Sequence, residues 1–370
     1  MYELVQHLIN GLAAGTIYAL VALGYTMVYG VLKLINFAHG DVMMVGVYVG
    51  YATAYLIGRE ALGSVWSALL VFGVAMSACA LLGFFIERFA YRPLRDKPRL
   101  TALITAIGIS FALSYGFQFD VSVNVFGHAI TILPGAAAKR FPEIIKPARW
   151  LVLGDDDVII WNWQIISFAI AMFLMGALQF LVFKTRFGKA MRAVSHDHRV
   201  AALLGIPVDT IIAFTFMLGS ALAAGAGILY AIKDKSIQPL MGVMVGLKAF
   251  VAAVIGGIGN LPGAVVGGLL LGLCEEAVVG YGPGWLALLL PLIGLVVLIR
   301  SALQGGSTRA QLPRRVVQYL VLATIAIGFS YLLKDISGST WRDAVAFGFL
   351  IVVLLARPEG LFGRFQAEKV

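Results

Sequence analysis

Long apolar runs follow one another along almost the whole chain. An α-helix needs roughly 20 apolar residues to cross a bilayer, and runs near that length cover residues 4–32, 42–57, 65–86, 101–119, 163–183, 210–232, 243–258, 261–280, 285–299, 316–333 and 344–356. Hydrophobic residues make up 60% of the chain and charged residues only 13%, which excludes an ordinary soluble domain and a disordered chain. The sequence therefore predicts an all-α polytopic membrane protein with about nine to eleven transmembrane or re-entrant helices.

Basic residues are concentrated in the short loops between these runs. The formal net charge is +9, and residues 88–99 and 184–199 each hold five lysines and arginines. Loops rich in Lys and Arg remain in the cytoplasm, so we expect the N-terminus and the polar segment 120–162 outside and the C-terminus in the cytoplasm. Because the charge is divided among loops, it favours anionic lipid headgroups over nucleic acid as its neighbour.

Two short polar segments break the apolar pattern, one near Asn36 and one near Gly259. The first reads LINFAHGD over residues 34–41, and the second reads IGGIGNLPG over residues 255–263. Paired interruptions in the two halves of a membrane protein indicate a transport site. The pattern predicts broken helices whose polar residues line a translocation path: Asn36, His39, Gly40, Asp41, Gly256, Gly257, Gly259 and Asn260. Ordinary turns at the membrane surface are the alternative, since Lys33 also fits the cytoplasmic edge.

The segment 184–209 is too polar to span a membrane and too regular for an unstructured loop. Phe187, Met191 and Val194 share one helical face, and a second apolar face around Leu203 and Leu204 precedes Gly205 and Pro207. These features predict two short amphipathic helices. Such helices either lie on a membrane surface or fill a groove in a partner subunit.

The sequence has no motif for catalysis or for metal binding. It contains no HExxH, P-loop or GxSxG, and the only cluster of metal-type residues, His196-Asp197-His198, places its histidines on different sides of a helix. We therefore expect no catalytic residue and no metal site. Residues 278–282 read VVGYG, similar to a potassium-channel filter, but a filter needs four copies of its loop behind a pore helix, so a turn is favoured.

Without a P-loop, uphill transport needs energy from another subunit or from an ion gradient. An ion-coupled secondary transporter places ionisable residues within its spans. Apart from Lys248 these spans contain few such residues. The pattern favours ATP hydrolysis by a separate subunit, and a secondary transporter is the less favoured alternative.

Several blocks of the sequence resemble the LivH-like permease subunits of bacterial ABC importers for branched-chain amino acids. The longest is GYTMVYGVLKLINFAHGD at residues 24–41, and further blocks are GKAMRAV at 188–194, GLKAFVAAVIGG at 246–257 and RPEGLFG at 357–363. The resemblance implies a single permease domain over residues 1–370 in the bacterial inner membrane. Its implied substrates are branched-chain or related hydrophobic amino acids, and urea or short amides are the alternative.

The resemblance also implies partners and a coupling region. The partners are a second homologous permease, two cytoplasmic ATPases that bind ATP and Mg, and an extracytoplasmic binding protein, whereas this chain itself holds no cofactor. Segment 184–209 would dock on an ATPase, with the residues Gly188, Met191, Arg192, Ala193, Ala201, Ala202 and Gly205 in the coupling region. Two regions depart from the family pattern: residues 120–162 form an extracytoplasmic insertion, and residues 284–337 form an added transmembrane hairpin.

Overall fold

The computed structural model describes residues 2–58, 60–95, 97–125, 128–153, 158–281, 338–357 and 359–363. The α-helices in these ranges are α1 (Tyr2–Leu32), α2 (His39–Ile57), α3 (Val65–Phe85), α4 (Arg99–Gly116), α5 (Asn162–Lys184), α6 (Arg186–His196), α7 (His198–Leu203), α8 (Val208–Asp234), α9 (Met241–Gly256), α10 (Leu261–Tyr281) and α11 (Gly338–Ala356). Six of them are long and apolar enough to cross a membrane. Helices α4 and α9 are also apolar, but their apolar stretches are shorter than 18 residues. The all-α polytopic prediction is confirmed, and the hairpin assigned to residues 284–337 lies outside the described residues.

Helix α3 does not end in a regular turn. It continues into a π-helical stretch, Ile86–Tyr91, and then into a 3₁₀ turn, Arg92–Leu94. A π-helical stretch is rare and is found often at functional sites, because the wider turn re-aims the side chains that follow it. Here the change of helix type directs Tyr91 into the protein, where its side chain is 2% exposed.

The polar segment 120–162 contains short strands that the sequence pattern did not predict. Strands β1 (Asp120–Val125) and β2 (His128–Pro134) pair antiparallel, as do β4 (Arg149–Leu153) and β5 (Val158–Trp161). Strand β3 (Lys139–Arg140) pairs with β6 (Ser236–Ile237), which directly follows α8. The segment is therefore joined to the helical bundle at the end of α8.

Helix α1 forms the centre of the bundle. Its most apolar window is 94% buried, and it packs against α5, α8, α9 and α10. Glycines permit the closest approach: a Cβ on Gly15 would lie 2.8 Å from the Leu269 Cα, and a Cβ on Gly272 would overlap the Gly15 backbone. Small residues spaced four apart let membrane helices pack backbone to backbone in this way.

After α1 the chain turns back into the bundle. Lys33 has a positive φ of 56°, which ends the helix because left-handed backbone cannot continue it. The first residue of α2, His39, then packs edge-to-face on Tyr25 with ring centroids 4.6 Å apart. Tyr25 precedes the end of α1 by about seven residues, or about 10 Å along the helix axis. Helix α2 therefore begins inside the bundle.

Candidate functional site

The first break is held by side-chain hydrogen bonds that fix its shape. The Asn36 Oδ1 accepts from the Ala38 backbone N–H at 3.1 Å and from the Tyr91 hydroxyl at 3.0 Å. Asn36 is 3% exposed, so both bonds are shielded from water. The π-helical end of α3 thus positions the residue that shapes the loop between α1 and α2.

Asp41 lies in the first turn of α2 and is 1% exposed. Its two carboxylate oxygens accept hydrogen bonds from the hydroxyls of Ser110 and Ser114, which are one turn apart on α4. Negative charge in the first turn of a helix is favoured by the helix dipole. Neither serine was singled out by the sequence pattern, because nothing in the sequence near α4 indicates which helix it faces.

Gly40 lets α2 cross α9 at backbone contact. A Cβ on Gly40 would overlap the Gly242 carbonyl oxygen and would lie 2.8 Å from the Gly246 Cα. The neighbouring His39 is also fully enclosed, and its Nε2 has no hydrogen-bond partner within the described ranges. The four residues predicted for the first break are therefore buried at the junction of α1, α2, α4 and α9.

The second break separates α9 from α10 and is covered by the C-terminal segment 359–363. The Leu361 and Phe362 N–H groups donate to the carbonyls of Ile255 and Gly256 at 2.8 and 3.2 Å. Asn260 joins both sides, because its Nδ2 donates to the Phe362 carbonyl at 2.9 Å and its Oδ1 accepts from the Gly263 N–H at 3.1 Å. The sequence pattern placed Asn260 at this break but missed the segment that closes it.

Glycine is required in the second break for two reasons. Gly257 and Gly259 have φ values of 101° and 92°, a region that side-chain-bearing residues rarely adopt. A Cβ on Gly256 would overlap the Gly263 carbonyl, so the two helices meet there without room for a side chain.

The two breaks have separate neighbours. Gly40 meets α9 at Gly242 and Gly246, whereas the second break begins at Gly256, about 15 Å further along the same helix. The structure therefore brings together the predicted residues within each break. That both breaks line one path stays a prediction.

Segment 184–209 forms the two predicted short helices, α6 and α7. The Thr185 hydroxyl caps α6 by accepting from the Gly188 N–H at 3.1 Å. The Asp197 carboxylate caps α7 by accepting from the N–H groups of Arg199 and Val200 at 2.8 and 3.0 Å. These backbone hydrogen bonds stabilise the carboxylate and hold the pKa of Asp197 below its usual value. The two caps explain why a short polar segment is helical.

The residues named for the coupling region divide into a buried and an exposed set. Gly188, Met191 and Ala201 are buried against the bundle, Ala193 is half-buried, and Arg192, Ala202 and Gly205 are exposed. Arg192 donates to the Val182 carbonyl and stacks over the Phe183 ring at 5.7 Å. A Cβ on the buried Gly188 would overlap the same Val182 carbonyl, so Gly188 and Arg192 together fix α6 to the end of α5.

An exposed apolar patch is formed at α7 by Val200, Leu203 and the following residue, Leu204. These side chains are 51%, 87% and 74% exposed. An exposed apolar patch of this kind is typical of a contact with another protein or with a membrane surface. On the other side of α7, the His198 Nε2 lies 2.9 Å from the Val31 carbonyl at the end of α1. Helix α7 therefore contacts the end of α1, just before the first break, while its apolar patch stays exposed.

A cluster of charged residues joins α1, α8, α9, α10 and α11 inside the bundle. Glu275 is 0% exposed and receives a hydrogen bond of 2.8 Å from the Tyr18 hydroxyl. The Lys248 Nζ and the Arg342 Nε each lie 3.0 Å from its carboxylate. The remaining pairs are Lys248 with Asp343 at 2.6 Å, Arg342 with Glu276 at 3.2 Å and Lys233 with Glu276 at 3.6 Å. The cluster is balanced, since three cations meet three carboxylates.

Comparison with known proteins identifies the family. Residues 7–299 match the family described as branched-chain amino acid transport system, permease component. The chain is 36% identical over 374 residues to the high-affinity branched-chain amino acid transport system permease protein BraD of Pseudomonas aeruginosa, covering 100% of this chain and 99% of that protein. The chain belongs to the branched-chain amino acid transport permease family. It is a multi-pass membrane permease and not an enzyme.

Other members of this permease family also match over most of the chain. The permease protein LivH of Salmonella typhimurium is 33% identical over 368 residues, covering 99% of this chain and 97% of that protein. The probable LivH permease of Methanocaldococcus jannaschii is 26% identical over 289 residues, covering 77% of this chain and 85% of that protein. The family match includes both breaks and segment 184–209, and the full-length matches extend it to the C-terminal segment 359–363.

Proposed function

We propose that the chain is the LivH-like permease subunit of an ATP-driven importer for branched-chain or related hydrophobic amino acids in the bacterial inner membrane. The observation that carries the proposal is the full-length similarity to permeases named for that substrate class, at 36% identity for BraD. The remaining members of the transporter would be a second homologous permease, two ATPases and an extracytoplasmic binding protein. ATP and Mg would be held by the ATPases, since these 370 residues contain no P-loop.

The proposed orientation places segment 184–209 and the C-terminus in the cytoplasm, and the N-terminus and segment 120–162 outside. Its support is that the basic loop 88–99 contacts the end of the basic segment 184–209, where Arg92 and Arg95 pair with Asp209. At the other end, the Gln6 side chain near the start of α1 accepts from the Ile159 N–H at 2.9 Å. Lys and Arg are enriched on the cytoplasmic side.

The proposed path runs past the two breaks. A zwitterionic amino acid needs donors for its carboxylate, acceptors for its ammonium group and an apolar surface for a branched side chain. The amides of Asn36 and Asn260 and the glycine backbones at the breaks offer donors and acceptors. Because Asn36 and Gly40 are buried in the described conformation, transport requires the helices around the first break to separate.

Reconstitution tests the proposed substrate. We expect proteoliposomes with the permease pair, the ATPases and the binding protein to accumulate radiolabelled leucine when ATP is present on the ATPase side. Urea and acetamide uptake measured in the same vesicles provides the comparison. Accumulation of urea without leucine would contradict the amino-acid assignment, and leucine uptake driven by an ion gradient without ATP would contradict the ATP-driven mechanism.

The exposed patch on α7 is the proposed contact with an ATPase. Leu203→Glu puts a charge at the centre of this patch, so we expect the ATPases to co-purify much less, because contacts at the centre of an interface contribute about 2 kcal/mol or more. Leu151→Glu is the matched control, since Leu151 is a 40% exposed leucine on β4, in the segment 120–162 that the proposed orientation places on the other side of the membrane. Equal recovery of the ATPases with both variants would contradict the docking assignment.

A further inference from the structure

Two buried carboxylates in the bundle have different environments. Two cations pair with Glu275: the Lys248 Nζ and the Arg342 Nε each lie 3.0 Å from a carboxylate oxygen. Asp41 is equally enclosed at 1% exposure, but its partners are the hydroxyls of Ser110 and Ser114. Across the described residues no lysine or arginine pairs with Asp41. A carboxylate held inside a membrane protein is expensive unless a cation compensates its charge.

The groups around Asp41 are suited to a cation that donates hydrogen bonds. An ionised carboxylate is acceptor-only, with about four lone-pair positions, and the two serines occupy one position on each oxygen. Each hydroxyl that donates its single proton to Asp41 has only acceptor capacity left. One negative charge and free acceptor positions on four oxygens suit a primary ammonium group, which carries one positive charge and three donors.

We propose that Asp41, Ser110 and Ser114 form the subsite for the α-ammonium group of the transported amino acid. The inference rests on the proposed function, and it adds a charged contact from α2 and α4 to the neutral groups at the breaks. In the described conformation Asp41 is enclosed, so the ammonium group reaches these three side chains when the helices around the first break separate. The subsite distinguishes amino acids from urea and amides, which have no positive charge to offer Asp41.

Leucine uptake by reconstituted transporters carrying Asp41→Asn provides the test. The substitution keeps the size of the side chain and removes the charge. We expect uptake to fall about ten- to a hundredfold, the usual effect of losing a hydrogen bond to a charged group, while the ATPases still co-purify. Asp41→Glu keeps the charge and is expected to retain more uptake than Asp41→Asn.

Two fragments of leucine separate a charge contact from a purely structural effect. Isoamylamine has the ammonium group without the carboxylate, and 4-methylpentanoate has the carboxylate without the ammonium group. We expect isoamylamine to inhibit the wild-type transporter more strongly than Asp41→Asn, and 4-methylpentanoate to inhibit both equally. Any inhibition at the binding protein is the same for both variants, so the difference between the variants comes from the permease.

The outcomes distinguish the subsite from the proposed function. If the wild-type transporter does not import leucine, the proposed function fails. If it imports leucine and Asp41→Asn imports it equally well, or if isoamylamine inhibits both variants to the same extent, the subsite is wrong. Should Asp41→Asn not assemble, Ser114→Ala takes its place, and the subsite then requires weaker inhibition by isoamylamine in that variant than in the wild type.

Discussion

Glu275→Ala is expected to lower the stability and the yield of folded permease strongly. The substitution removes the carboxylate shared by Arg342 and Lys248, which is 7% exposed, so the three cations of the cluster face only Glu276 and Asp343. Removing one partner of a buried ion pair costs about 3–5 kcal/mol, because the remaining charge stays out of water. Thermal unfolding of the detergent-solubilised protein and the yield of monodisperse material provide the measurement.

Glu143→Ala is the matched control for this expectation. Glu143 pairs with Arg140 at 3.1 Å, but its side chain is 45% exposed, and an exposed pair contributes about 0–1 kcal/mol. A second comparison is the double variant Glu275→Leu with Lys248→Met, which removes one charge of each sign and is expected to recover part of the lost stability. Equal stability of Glu275→Ala and Glu143→Ala would contradict a structural role of the cluster.

Gly40→Ala is expected to destabilise the protein and to eliminate uptake, although it adds a single methyl group. The new Cβ would overlap the Gly242 carbonyl and press on the Gly246 Cα, so α2 and α9 must move apart. Overpacking of this kind costs about 1–3 kcal/mol. Because α2 carries His39 and Asp41, the displacement also disturbs the first break.

Gly30→Ala supplies the control for Gly40→Ala. Gly30 also lies in a helix, α1, and a Cβ there would meet nothing within 4 Å. Without a steric conflict, replacing a helical glycine by alanine stabilises the helix by up to about 1 kcal/mol. We therefore expect the two substitutions to shift the unfolding temperature in opposite directions. Shifts of the same sign and size would show that the α2–α9 contact is not tight.

The helices were predictable because the length of an apolar run is visible in the sequence. The amphipathic helices α6 and α7 were predictable from other local features, namely the helical spacing of their apolar residues and the stop at Gly205 and Pro207. The short strands were not predictable: β3 has two residues and pairs with β6, almost a hundred residues away. Such a pair depends on how α8 brings its end to the polar segment.

The candidate site was predictable only as a set of polar interruptions. Asn36 and Asn260 stand out because amides break an apolar pattern, but their partners Tyr91 and Phe362 belong to distant segments. The charge cluster was missed for a related reason. Tyr18, Glu275 and Arg342 belong to three helices, and each residue appears isolated when its own helix is considered alone. Their meeting depends on the packing of the bundle.

The closure of the second break by residues 361 and 362 has a consequence for biosynthesis. The ribosome adds Phe362 about a hundred residues after Gly256, which takes about 5 to 20 s at usual rates of synthesis. During that interval the carbonyls of Ile255 and Gly256 lack the donors that they have in the finished protein. A premature stop codon just before Leu361 would therefore damage the junction between α9 and α10, which is synthesised about a hundred residues earlier. In most domains, by contrast, the last few residues can be lost without such damage.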